Sequence, residues 1–449
     1  IMNLSCREEG KKLEHIFYSV EQSVKIIAHN ATKNNRMDKI LACMYMMVHK
    51  SEKKGTPLKR ETVTLNALIS AILRRGTQKL STQDKISKEL ESMYGAGFNC
   101  GVEKTGDNHI MKFYLETLSE EFIPQKEELV QKCIEILLDI AFNPFTENNA
   151  FKKEYVEGEK QNLKQIIEAK IDNKNKYSYE RCIEEMFKNE PYGLYKFGYI
   201  EDLENITPEN LYDYYKELIE NCKIDILCSG IFNQDETKNI IENNENIKKL
   251  KAREAKYIIN NEQTERKEQE QKQENVITDS MQVTQGKLVM GLDICSAQPD
   301  FRFIASVYNA ILGGGANSKL FQNVREKQSL AYTANSSYLR TKNSIFIRCG
   351  IEIDNYEKAL KTIKEQLKDM EEGNFTEDDI ENAKTLIISS IDSIPSEQDT
   401  EITYYYGQEM SDSFVTVEEY SGKIKKVTKQ QIQELAKTIQ VNTVYFLKN

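Results

Sequence analysis

The chain has 449 residues, of which 39% are hydrophobic and 29% are charged. At roughly 100–200 residues per domain, this length predicts two to four domains. The 61 Lys and Arg residues against 71 Asp and Glu residues give a net charge of -10, which argues against sequence-independent binding of nucleic acid or of anionic membranes. The longest strongly apolar stretch, at residues 40–48, is far shorter than the ~20 residues of a membrane-spanning helix.

The cysteines and the first residues both favour a cytoplasmic protein. The opening sequence IMNLSCREEGKKLEH has no apolar segment and no small-residue cleavage site of the kind found in signal peptides. The nine cysteines are scattered and include no CxxC pair. This pattern favours reduced thiols over a disulfide framework or a zinc ribbon.

Similar elements follow one another in the same order in the two halves of the chain. In the first half, helical patterns at 66–77 and 85–97 precede an extended stretch at 98–118 and a helix with apolar spacing at 127–141. In the second half, YNAILGGGANSKLFQNVREKQSLAYTA precedes the extended stretch 335–353 and a helical pattern at 356–372. Tyr94 and Tyr332 are 238 positions apart, and Phe145 and Phe375 are 230 apart. The sequence thus suggests an internal repeat, with chance similarity of generic segments as the alternative.

A low-complexity segment separates the two halves. Residues 260–275 read NNEQTERKEQEQKQEN, a composition that cannot bury an apolar face. We therefore predict an N-terminal domain at 1–235, a charged linker at 236–275 and a C-terminal domain at 276–449. The predicted fold class is α+β, with two homologous domains that each contain a mostly antiparallel sheet covered by helices.

One motif carries a family resemblance. The sequence ILGGGANSKLFQNVREKQSLAY at 311–332 resembles the C-terminal-domain signature of the pitrilysin or insulinase family of zinc peptidases, and ALISAILRRGT and SKELESMYGAGFNCGVEKTG resemble the corresponding parts of its N-terminal domain. The resemblance covers most of 63–227 and 286–391. It implies homologous α+β domains of the metallopeptidase-like insulinase fold.

The family's zinc site is degenerate in this sequence. Active members hold zinc with an H-x-x-E-H motif, in which two histidines share one helix face and the glutamate acts as general base. When the sequence is registered on Gly76-Thr77, the resemblance places Ala67 and Ala71 at the histidine positions and Ser70 at the base position. No two of the chain's histidines are four residues apart: His15, His29, His49 and His109.

The downstream carboxylate ligand is also missing from its expected position. The register anchored on 172–173 places Gln165 or Ile166 there, with Glu159 and Glu168 nearby. We therefore expect no metal and no other cofactor in this chain, with zinc confined to a partner subunit.

A second pair of family residues is retained. In active relatives an arginine and a tyrosine seven positions later contact the substrate, and the resemblance places Arg325 and Tyr332 at these positions. In such a role the arginine would hydrogen-bond peptide carbonyl groups, and the tyrosine hydroxyl would donate to the oxyanion. The alternative is that Arg325 pairs with neighbours such as Glu326 while the Tyr332 ring packs in the core.

The resemblance implies an inactive peptidase homologue. Two-domain members of this family commonly pair with a second chain, so we expect the non-catalytic subunit of a heterodimer with an active zinc-bearing paralogue, contributing peptide binding and chamber wall. A structural or assembly scaffold without a peptide substrate is the alternative, and a homodimer is also open. The chain resembles in particular the zinc-site-deficient bacterial paralogue associated with elongation factor P 5-aminopentanol modification.

Overall fold

The computed structural model describes residues 58–124, 127–230, 232–251, 274–396, 398–410 and 415–449, and the backbone of three earlier strands. In the first part of the chain the elements are β1 (His15–Val20), β2 (Val24–Asn30), β3 (Lys39–Met47), α1 (Val63–Leu73), α2 (Gln83–Ser92), β4 (Gly97–Thr105), β5 (Asn108–Leu118), α3 (Leu129–Phe142), β6 (Thr146–Glu147), β7 (Ala150–Phe151), α4 (Lys153–Glu168), α5 (Lys174–Met186), α6 (Ile200–Leu203), α7 (Pro208–Asn221), β8 (Lys223–Gly230), α8 (Gln234–Asn243) and α9 (Glu245–Lys251).

The second part of the chain repeats this alternation. Its elements are β9 (Asn275–Ser280), β10 (Gly286–Ile294), α10 (Phe301–Gly313), a π-helix (Phe321–Lys327), β11 (Ala331–Leu339), β12 (Ser344–Ile351), α11 (Tyr356–Glu372), α12 (Glu377–Asp392), α13 (Gln398–Met410), α14 (Val417–Lys425), α15 (Lys429–Ala436) and β13 (Ile439–Lys448). None of the helices in the described ranges has both the length and the apolar character needed to cross a membrane.

Local capping residues define where several helices begin. Four helices, α7, α12, α14 and α15, start with a threonine whose hydroxyl accepts the backbone N–H three residues on, while the side chain at that third position bonds back to the threonine N–H. Such a capping box satisfies two backbone donors that a helix leaves open, and each N-cap contributes about 1 kcal/mol. These helix starts are therefore encoded locally.

The two large sheets share one strand order. In the first sheet the order is β1-β2-β8-β3-β5-β4, and in the second it is β11-β12-β10-β13-β9. If the first sheet is read from β4 and the second from β11, the first five strands of the two orders correspond in position. In both sheets the first three pairings are antiparallel, and the last, β8 with β2 or β13 with β9, is parallel. This agreement is too specific for chance similarity and confirms the predicted α+β class with two homologous halves.

The loops before β4 and β11 fix the register of the repeat. Gly95 and Ser329 both have positive φ, at 73° and 51°. Each is followed by a residue whose N–H bonds a carbonyl six positions back, Ala96 to Leu90 and Leu330 to Val324. The equivalent positions are thus 234 apart (329 minus 95), so the pairing of Tyr94 with Tyr332, which are 238 apart, is wrong by four residues.

The chain divides into two compact units, each with its own core. The first comprises Ile1–Ile167, Lys196–Asn260 and Ser396–Thr403, and the second comprises Glu168–Tyr195, Asn261–Pro395 and Tyr404–Asn449. Helices α8 and α9 occupy the first part of the segment predicted as a charged linker, while residues 252–273 lie outside the described residues. The predicted boundaries at 235 and 275 therefore stay a prediction about the homologous domains.

Helix α5 comes from the predicted N-terminal domain but packs on the second sheet. Cys182, Ile183 and Phe187 form a buried cluster with Val289 of β10 and with further residues of the sheet. A Cβ added to Gly291 would lie 2.5 Å from Met186 Sδ, so the helix approaches the strand backbone directly. Strand β10 is consequently buried on both faces, which explains its nearly continuous apolar sequence.

Candidate functional site

The degenerate metal positions lie on helix α1. Ala67 and Ser70 are only 3% and 4% exposed, and Ala71 lies one turn after Ala67 on the same helix. The Ser70 hydroxyl donates a hydrogen bond to the Ala67 carbonyl at 2.8 Å. The helix thus has the geometry that H-x-x-E-H needs, but two methyl groups and an internally bonded hydroxyl cannot coordinate zinc or carry a proton.

Helix α4 supplies no replacement ligand. Gln165 and Ile166 are both exposed, Ile166 at 44%. The buried carboxylate of α4 is Glu159, and it forms an ion pair with the Arg75 guanidinium that follows the end of α1. Its second oxygen accepts a hydrogen bond from Asn162 at 3.2 Å. The Glu159 charge is therefore already used to join α1 to α4, and the residues present do not fit a zinc ion.

The described residues contain no other candidate metal centre. No group of three or more His, Cys, Asp or Glu side chains within the described ranges could hold a metal. Of the four histidines, His15 and His29 lie on strands whose side chains are not described, and His49 lies outside the described residues. His109 is buried on β5, and burial lowers its imidazole pKa to about 3. It lies 3.1 Å from the Asn66 side-chain nitrogen, in a polar network of the core.

Arg325 lies on the π-helix and is available to solvent. Its side chain is 43% exposed. The guanidinium lies 4.5 Å from the centre of the Phe321 ring, and its Nε is 3.5 Å from Glu326 Oε1. Pairing with Glu326 is thus present, but an ion pair this exposed contributes little to stability. The arginine can therefore exchange Glu326 for another acceptor.

Tyr332 points away from the core. It is 53% exposed and sits at a β-bulge, since Ala331 pairs with Ile351 and Thr333 with Gly350. The phenol donates a hydrogen bond to Glu352 Oε1 at 3.3 Å. Because the side chain is this exposed, the Tyr332 ring does not pack in the core. Because β11 is an edge strand of its sheet, the tyrosine lies beside unpaired backbone groups.

Two buried polar residues of α11 anchor the π-helix. Asn323 donates to Gln366 Oε1 at 2.5 Å, and the Thr362 hydroxyl donates to Gln328 Oε1 at 3.2 Å. The equivalent segment of the first half is the regular α-helix α2. A π-helix is rare and frequently occurs at functional sites. The sequence motif locates Arg325 but gives no signal of this widened helix.

Comparison with known proteins defines the class. The profile described as "Peptidase M16 inactive domain" matches residues 205–387. The chain is 33% identical over 397 residues to the "Probable inactive metalloprotease YmfF" of Bacillus subtilis, covering 87% of this chain and 90% of that protein. This chain belongs to the peptidase M16 family, which confirms the resemblance stated from the sequence.

Solved structures agree with the fold. A conserved protein from Enterococcus faecalis has a TM-score of 0.82 with 24% identity, covering 97% of this chain and 98% of that one. The peptidase M16 inactive domain from Pseudomonas fluorescens has a TM-score of 0.74 with 16% identity and the same coverage of both chains. At these identities the two structures show that the fold of this chain is that of M16-like peptidases.

Proposed function

We propose that this chain is the non-catalytic subunit of a heterodimer with an active zinc-bearing member of the same family, to which it contributes peptide binding and part of the chamber wall. The observation that carries the proposal is a contrast within one molecule. Of the metal positions, Ala67 and Ser70 are buried and Ala71 is half-buried, whereas Arg325 and Tyr332 are exposed and make only weak contacts.

The exposed pair supplies two kinds of hydrogen-bond donor. The Tyr332 hydroxyl, released from Glu352, would donate to a peptide carbonyl oxygen as negative charge develops on it in the partner's active site. The Arg325 guanidinium would hold neighbouring carbonyl groups of the same peptide through its fork of N–H donors. Neither role requires a metal in this chain, so zinc would be needed only in the partner.

The first experiment is reconstitution with the zinc-bearing paralogue of the same organism. We expect the Tyr332→Phe and Arg325→Ala variants each to lower peptide turnover of the complex by about tenfold or more, which corresponds to about 1.4 kcal/mol in the activation barrier. Tyr94→Phe is the matched control, because Tyr94 is also exposed and also donates to a surface carboxylate, that of Glu127.

Other outcomes would contradict the proposal. Full turnover with both variants would favour an assembly scaffold without a peptide substrate. Chelator-sensitive cleavage by the isolated chain would contradict the non-catalytic role. The link to elongation factor P modification and a cytoplasmic location stay predictions; the described cysteines are free thiols, as expected in a reducing compartment.

A further inference from the structure

The two large sheets differ in one respect, the presence of a sixth strand. In the first sheet, β1 lies beyond β2 and pairs with it in antiparallel orientation. Strand β9 holds the place of β2 in the second sheet, and none of the strands that the structure describes lies beyond it. The spacing of β1 and β2 would put a counterpart of β1 at residues 266–271, where the sequence RKEQEQ contains no β-branched or aromatic residue. The neighbouring sequence is thus poorly suited to pair with β9.

The outer edge of β9, formed by Val276, Thr278 and Ser280, presents backbone hydrogen-bonding groups. The Met281 N–H donates to the Lys448 carbonyl of β13 at 2.8 Å, and the parallel register continues without a shift along the strand. Because successive residues of a strand direct their N–H and C=O groups to opposite sides, those of the three outer-edge residues point away from β13. They form a row to which another strand can bond.

The side chains of this edge leave it accessible. Val276 is 54% exposed, more than any other large hydrophobic side chain in the described ranges, and Thr278 and Ser280 are exposed as well. Natural edge strands are commonly protected by lysine or proline, and β9 contains neither. Its one charged side chain, Asp279, already accepts the Tyr445 hydroxyl at 2.8 Å. A strand can therefore be added to β9 without displacing a charge.

Helix α11 runs alongside β9 in the opposite direction. At one end, the Tyr356 ring stacks on Phe446 with 4.4 Å between the ring centres, and Phe446 is paired in register with Thr278. At the other end, Lys364 Nζ lies 2.7 Å from Glu274 Oε2. The helix rises about 12 Å from Tyr356 to Lys364, and the strand spans about 13 Å from Glu274 to Thr278. The two elements therefore stay in step between these contacts.

An apolar strip lies between these two end contacts. Leu360 is at the middle of this stretch of α11 and is half-buried, and Val276 is at the middle of the facing stretch of β9. Val276 is paired in register with Val444, whose side chain belongs to the core on the face that the helices cover. An incoming strand would therefore gain backbone hydrogen bonds from β9 and apolar contact with Val276 and Leu360. These are the two components of recognition by strand addition.

The position of this edge favours a protein subunit over the peptide substrate as its ligand. Strands β9 and β11 are the two edges of the five-stranded sheet, so four strand spacings, about 19 Å, separate them. A peptide paired with β9 would therefore lie far from Tyr332, which is on β11. The partner in the proposed function is a member of the same family, and solved relatives share this fold. Such a partner has edge strands of its own that can pair with β9.

We infer that the outer edge of β9 pairs with an extended edge strand of the zinc-bearing partner subunit, in the antiparallel orientation that β1 adopts on β2. The N–H and C=O groups of Val276, Thr278 and Ser280 would bond to the added strand, and an apolar side chain of that strand would lie against Val276 and Leu360. The second sheet would thereby gain the sixth strand that the first sheet has within its own chain. This inference rests on the proposed function, because it takes the partner from it.

The test is calorimetric titration of the full chain with the purified zinc-bearing paralogue of the same organism. Thr278→Pro removes an N–H from the outer edge but none from the pairing with β13, and proline is tolerated on edge strands in that orientation. We expect this variant to raise the Kd of the heterodimer by about tenfold or more. Thr278→Ala is the matched control, because it shortens the same side chain and keeps the N–H. It should change the Kd by less than about twofold.

Thermal unfolding of the isolated variants verifies that they are folded. If Thr278→Pro does not fold, Val276→Lys carries the test, because residue 276 is exposed and a lysine there opposes strand addition. It should also weaken the heterodimer by about tenfold or more. Hydrogen exchange followed by mass spectrometry gives a second readout. On formation of the wild-type complex, the segment 275–281 should gain about three slowly exchanging amides, those of Val276, Thr278 and Ser280.

Three results would overturn the inference. They are wild-type affinity in both Thr278→Pro and Val276→Lys, equal weakening by Thr278→Pro and Thr278→Ala, and loss of self-association of the isolated chain in Thr278→Pro, which would identify a second copy as the occupant. The first of these would leave the proposed function intact. Absence of any complex with the wild-type chain would overturn both proposals. Weakened heterodimers, in a system where Arg325 and Tyr332 have no effect on turnover, would refute the peptide-binding role alone.

Discussion

The buried His109 makes folding sensitive to acid. In the folded chain burial lowers its pKa from 6.5 to about 3, so the imidazole stays neutral in the core. In the unfolded chain the same group binds a proton below pH 6.5. Above about pH 6.5 His109 is neutral in both states and does not lower the free energy of unfolding. As the pH falls from 6.5 towards 3, protonation of the unfolded chain lowers that free energy. At pH 5 the loss is about 2 kcal/mol, from about 1.4 kcal/mol per pH unit over 1.5 units.

The assay is urea unfolding of the wild-type chain and of His109→Gln at pH 7.5 and pH 5.0. Between these two pH values, the free energy of unfolding of the wild type should fall by about 2 kcal/mol more than that of the variant. The difference between the two proteins cancels the titration of every other group. Gln keeps a polar side chain opposite Asn66, whose amide nitrogen lies 3.1 Å from the histidine ring. Equal losses in both proteins would refute the reasoning, because they would show that His109 is not held neutral by burial.

Two further predictions concern packing and buried charge. Gly291→Ala should destabilise the second unit by about 1–3 kcal/mol in thermal unfolding, since its Cβ would meet Met186 Sδ at 2.5 Å; Gly422→Ala, with nothing within 4 Å of the new atom, should be neutral or stabilising. Glu159→Gln should lower the free energy of unfolding by about 1–3 kcal/mol, because it leaves the Arg75 guanidinium without its buried carboxylate partner. Glu157→Gln on the same helix removes only an exposed contact with Lys160 and should change stability by less than about 0.5 kcal/mol. Equal effects within either pair of variants would contradict the packing described.

The sequence was informative wherever the relevant signal is local. The order of the helical and extended patterns in the two halves is a short-range feature, and it predicts the repeat and the α+β class. The degenerate metal positions are predicted from an equally local pattern, since H-x-x-E-H spans five residues and Ala67, Ser70 and Ala71 do not match it. Those three residues do lie together on α1 as expected.

Other features depend on tertiary contacts and gave no local signal. The bulge that turns Tyr332 outward is set by its pairing with β12, and the π-helix around Arg325 is held by Thr362 and Gln366, which lie about 40 positions away in sequence. Helix α5 reads as part of the first domain, but the absence of a side chain at Gly291 lets it pack on the second sheet.

The proposed function requires that this chain acts with a zinc-bearing relative and holds no catalytic metal itself. The most direct measurement is affinity purification of the chain from its own organism, followed by native mass spectrometry and metal analysis of the recovered species. We expect a one-to-one complex with a chain that carries H-x-x-E-H, containing one zinc that stays with that partner when the subunits are separated. Recovery of this chain alone or as a homodimer, or zinc bound to the separated chain in equal amount, would contradict it.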